Sequence, residues 1–148
     1  MTKIGPIEKV YEAYSVITDG RVAISEASAE VRSSNGAKTY TVTWNGNTYT
    51  SNDSASYWQG YPGYPIIAVL MLRGRVTLDK TVAALFAGIN WTELNQQYKR
   101  DYSAAVDHII KEHGYNPKLI HAAAEKVQGE LQTLDIIVKR GKLRPPKG

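Results

Sequence analysis

Two Asn-Gly dipeptides, Asn35-Gly36 and Asn45-Gly46, bracket a run that alternates polar and apolar residues, Thr39-Tyr40-Thr41-Val42-Thr43-Trp44. Asn-Gly accepts the positive φ angles of tight hairpin turns, and β-branched and aromatic residues at period two suit a half-buried strand. This block commits the first half of the chain to antiparallel sheet. Upstream, Val22, Ile24, Ala29 and Val31 alternate with polar residues, and downstream Thr48-Tyr49-Thr50 returns from the second turn. Three antiparallel strands are expected.

Around them the period changes. Ile7, Val10, Tyr11, Tyr14 and Val16 recur at helical spacing between Pro6 and the Asp19-Gly20 break, giving an N-terminal helix that ends near Thr18. Residues 52–63 form a loop rich in Ser, Gly, Pro and aromatics, after which Pro65 opens an apolar helix to Leu72. Three further helices are expected: from Thr77 or Asp79 to Ala87, from Thr92 to Glu112, and from Pro117 to Val138. The reading is α+β, a three-stranded antiparallel sheet with short helices followed by a helical C-terminal half. Residues 1–138 make one compact domain (a β-β-β-α part over 11–74 and a helical part over 77–138), and 139–148 a basic flexible tail.

Composition narrows the function classes. A chain of 148 residues with 43% hydrophobic and 22% charged residues is that of an ordinary globular protein. The absence of cysteine excludes disulfides, thiolate metal sites and cysteine nucleophiles. The N-terminus lacks the apolar core of a signal peptide, and the longest apolar run, Ile66 to Leu72, has seven residues where a bilayer span needs roughly 18 or more. A cytoplasmic protein with no membrane partner is expected. The net charge of +4 hints at nucleic acid, but five bases, Lys139, Arg140, Lys142, Arg144 and Lys147, sit in the acid-free last ten residues. Without them 13 bases face 14 acids, so the body is close to neutral.

The stretch from Gly46 to Leu72 has a further meaning. A strand end through Tyr49-Thr50-Ser51-Asn52-Asp53, a turn-rich loop, and Gly63-Tyr64-Pro65 leading into Ile66-Ile67-Ala68-Val69-Leu70 resemble the SWIM zinc-finger family over roughly residues 11–72. That family carries Cys-x-Cys, a loop, and Cys-x-His at the start of an apolar helix. The corresponding positions here, Tyr49, Ser51, Gly63 and Pro65, hold no zinc ligand. The resemblance implies a metal-free SWIM-like domain with a DNA- or protein-binding role and no cofactor.

The aromatic loop is the leading candidate site. Turned outward, Tyr57, Trp58, Tyr61 and Tyr64 offer faces for unpaired bases, with Arg73, Arg75 and the basic tail to meet phosphates. The same surface suits a protein partner. Turned inward, the rings replace the folding energy of the lost zinc. His108, Glu112, His113 and His121 invite a metal reading, but His113 is rotated by roughly 140° from His108 on the same helix, and a surface helix explains them. Asp53 suits a turn better than catalysis, and no catalytic motif is present. The expected function is a non-enzymatic interaction module for DNA or protein. The alternative is a structural or assembly subunit whose C-terminal helices bind a partner protein or form a homo-oligomer.

Overall fold

A computed structural model describes residues 3–99 and 101–146. Helix α1, Glu8–Thr18, is the centre of the molecule. It packs against α2 (Tyr64–Leu72), α3 (Lys80–Ala84), α5 (Tyr102–His113) and α6 (Pro117–Thr133), and none of residues 8–17 is exposed. The short α4, Trp91–Gln97, leans on α5.

Five strands form one sheet in chain order: β1 Val22–Ile24, β2 Ser28–Arg32, β3 Thr39–Asn45, β4 Thr48–Ser51 and β5 Ile137–Val138. The first four are antiparallel neighbours, and β5 joins β4 in parallel. Both turns form where they were read, but only their glycines, Gly36 and Gly46, take positive φ, and Asn45 still belongs to β3, opposite Thr48. Ala29, Val31, Val42, Trp44, Tyr49 and Ser51 point inward, while the opposite face carries Glu30, Arg32 and a group of threonines. Between the inner face and α1 lies α2, whose residues Pro65 to Met71 are all buried. A helix apolar on every side belongs in such a middle layer.

The three-stranded sheet of the sequence reading is therefore corrected to a five-stranded mixed sheet, with six α-helices and one π-helical turn, Ala55–Gln59, among the described residues. The first expected strand is a hairpin: Ser25 closes it by donating from its backbone N–H (2.8 Å) and its hydroxyl (3.1 Å) to the Ser28 carbonyl. The helix expected over 92–112 is broken between α4 and α5, where Lys99 has φ +52 and Asp101 accepts from the Ala104 N–H at 3.0 Å to cap a new helix. The last helix stops at Thr133, and the β-branched Ile137 and Val138 pair with β4 instead. None of the described helices is long and apolar enough to cross a membrane.

Candidate functional site

Asp53 builds the aromatic loop from beneath. Buried, it accepts from the Ser51 hydroxyl and, at 3.0 Å, from the Ser56 N–H, and the Ser56 hydroxyl in turn accepts from the Gly63 N–H at 2.9 Å. This network starts the π-helical turn and fixes where the loop rejoins α2. A Cβ at position 63 would meet the Asp53 carboxylate at 2.0 Å, so any other residue there must displace Asp53 from its hydrogen bonds. Asp53 is thus a structural residue of the turn.

The candidates named from sequence separate. Tyr57 and Trp58 meet edge to face, ring centroids 4.6 Å apart. The Arg140 guanidinium lies 4.7 Å and 5.2 Å from their centroids, and its Nε donates to the Tyr57 carbonyl at 3.1 Å. Trp58 nonetheless keeps 57% of its surface in water. Lys3 joins this corner by donating to the Gln59 carbonyl at 2.8 Å. Tyr61 is half-buried against Gly5, and Tyr64 turns away to meet Tyr40 edge-on at 6.2 Å. Arg73 lies 5.0 Å over the Trp44 ring and donates to the Tyr49 hydroxyl, and Arg75 donates to Asn47 Oδ1 at 3.3 Å.

The tail continues beside β4 in the same direction: Lys139 N–H donates to the Tyr49 carbonyl at 2.8 Å, Gly141 lies against Thr50, and the Arg144 carbonyl accepts from Asn52 at 3.3 Å. The side chains of Lys139, Lys142 and Arg144 belong to exposed residues, and Lys147 lies outside the described residues.

The zinc-finger layout does not match. The chain has no cysteine, and no metal-holding cluster is found among the described residues. Of the four supposed ligand positions, Tyr49 is a core residue stacked on Trp44 and Pro65 is buried at the start of α2, while Ser51 and Gly63 surround Asp53. The helical histidines serve locally. His108 Nδ1 bonds the Tyr98 hydroxyl and its Nε2 meets Glu112, both at 2.7 Å, while His113 stacks on Tyr115 and His121 is exposed.

A second site was invisible to motif reading. Lys9 and Glu12 of α1, Arg21, Tyr40 of β3, Tyr64 of α2 and Asn95 of α4 line a polar cavity of about 200 Å³. The Lys9 and Glu12 side chains, 18% and 12% exposed, pair at 3.5 Å, and Asn95 donates to Glu12 Oε1 at 3.5 Å. Burial pushes the Glu12 carboxyl above its ordinary range, with Lys9 pulling the other way. Burial pulls Lys9 down, but Glu12 and neighbouring phenols and carboxylates more than offset it and leave its pKa raised. Burial likewise raises the Tyr40 and Tyr64 phenols. Arg21, 11% exposed, donates to the Arg32 carbonyl at 2.6 Å and pairs with Asp19 at 3.5 Å, yet its buried Nε has no partner. Asn95 Oδ1 is likewise buried and unpartnered.

One signal pointed there. Residues 10, 11, 13, 14 and 16 of α1 are all apolar, too many for one helix face, so charges set among them had to be enclosed.

The class defined by these features is an α+β protein with a buried central helix, a polar cavity beside it and an aromatic corner stapled by an arginine. Over residues 2–137 the chain matches the family described as Uncharacterised conserved protein UCP014422, and it belongs to that family. No curated protein and no solved structure matches it.

Proposed function

We propose that the protein is a non-catalytic assembly subunit that binds a partner protein through the Trp58 corner, the partner presenting an acidic segment. The observation that carries this is Trp58 itself, 57% exposed yet held by the Tyr57 ring edge and the Arg140 guanidinium. A fixed aromatic loses little freedom on binding, and Trp, Tyr and Arg dominate binding hot spots. Lys3 and Arg140 supply positive charge around it, which favours an acidic partner. The C-terminal helices turn their apolar stripes inward. The α6 stripe of Ile120, Ala124, Val127 and Leu131 is buried within the subunit's own core, as are Val106, Ile109 and Ile110 of α5.

The test is site-specific photocrosslinking in the expressing cell from position 58, with exposed position 26 as reference, alongside sedimentation velocity of the purified chain. A crosslinked protein obtained from 58 alone, weakened by Arg140→Ala and by raised salt, is the expected result. No adduct from 58, together with salt-sensitive anisotropy of labelled single-stranded DNA that Trp58→Ala abolishes, would replace a protein partner by nucleic acid. Sedimentation that rises with concentration and collapses in Trp58→Ala would make the partner a second copy.

A further inference from the structure

The cavity beside α1 has features that a purely structural polar cluster has reason to avoid. Side chains from α1, β3, α2, α4 and α5, together with Arg21 just beyond α1, converge on it. It encloses two cations and one carboxylate, and two of its lining residues carry buried polar atoms with no partner. Each such atom, left unpaired, keeps the full penalty of its desolvation. Native interiors rarely keep such atoms without a water or ligand to satisfy them.

The missing partners are complementary. Arg21 Nε–H and the Lys9 ammonium ask for an acceptor, best a carboxylate. Asn95 Oδ1 and the Glu12 carboxylate ask for a donor, best an ammonium group. Tyr40, Tyr64 and Tyr102 add rings around them, with Lys9 Nζ 5.1 Å from the Tyr102 centroid. The volume, about 200 Å³, is below the roughly 300 Å³ at which drug-sized pockets begin. A nucleotide or a peptide is too large.

We infer that this cavity binds a small zwitterion of amino-acid size, its carboxylate held by Arg21 and Lys9 and its ammonium group by Glu12 and Asn95. The site is separate from the Trp58 corner and does not depend on the function proposed for it. Binding exchanges the Lys9–Glu12 pair for two ligand-mediated ion pairs.

The test is thermal-shift and calorimetric titration of the full chain with each of the twenty L-amino acids at millimolar concentration. At least one is expected to raise the melting temperature, and its methyl ester and its N-acetyl derivative, each lacking one charge, are both expected to fail. Its Kd should weaken about tenfold or more in Glu12→Gln and in Lys9→Met, as loss of a hydrogen-bonded charge partner requires, and stay unchanged in Trp58→Ala. Circular dichroism checks that the variants fold, and should both cavity variants unfold, the ester and acetyl comparison on the wild-type chain decides. No shift with any amino acid, or binding that survives esterification, acetylation or Glu12→Gln, overturns the inference.

Discussion

Gly63 and Glu12 show how single residues are constrained by what surrounds them. Gly63 has an ordinary backbone, φ −76, so glycine is required there by space alone. Gly63→Ala drives a methyl group into the Asp53 carboxylate and should lower unfolding free energy by about 1–3 kcal/mol in urea titration. Gly129→Ala, where a Cβ meets nothing within 4 Å in α6, should raise it by about 0.5–1 kcal/mol. Glu12 predicts a pH dependence. Its folded pKa is raised above the ordinary value of 4.5 mainly by burial, so just above that pH the folded chain holds the proton more tightly than the unfolded chain. Unfolding free energy then falls as pH rises from 4.5 through the raised value. Glu12→Gln should flatten that part of the stability profile, and an unchanged slope would show that the carboxyl is not desolvated.

At the scale of elements, legibility followed local chemistry. The turns at Asn35-Gly36 and Asn45-Gly46, the Pro65 helix start and the apolar α2 could be read because the residues that make them are adjacent. The β1–β2 turn was missed because Ser25-Glu26-Ala27 has no glycine, asparagine or proline, and serine hydrogen bonds close it instead. The α4–α5 break hid inside an unbroken apolar stripe, its only mark being Asp101 as a cap. β5 was illegible for another reason. Leu134, Ile137 and Val138 continue a helical spacing, and only the free edge of β4, far away in sequence, converts them to strand. The Ile137 N–H donates to the Asn47 carbonyl at 2.9 Å, so Ile137→Pro should cost about 1–3 kcal/mol, whereas Ile137→Thr should cost little. Equal losses in the two variants, measured by chemical denaturation, would deny β5 a role in stability.

Across the whole molecule, the layers rank the regions by stability. The apolar faces of α1 and α2 are enclosed on every side, while β1 has a free edge and α4 is short and largely exposed. Native-state hydrogen exchange should therefore find the slowest amides in residues 10–16 and 66–71, exchanging only on global unfolding, with those of α4 opening earlier. The same layering explains why the cavity escaped motif reading. Lys9, Glu12, Arg21 and Asn95 are assembled by tertiary packing across 86 positions; the crowded apolar residues of α1 announce that its charges are enclosed, but no local spacing brings in Arg21 or Asn95. The parallel seam between β4 and β5 also bears on biosynthesis. On the ribosome, Thr48–Ser51 emerges more than 80 residues before its partner Ile137–Val138, and until then it shows an open backbone edge to the cell. Nascent chains stalled within that interval present a sticky strand, so residues 48–51 are a place for a co-translational chaperone to act, and slowed codons between 52 and 138 are the ones that prolong its exposure.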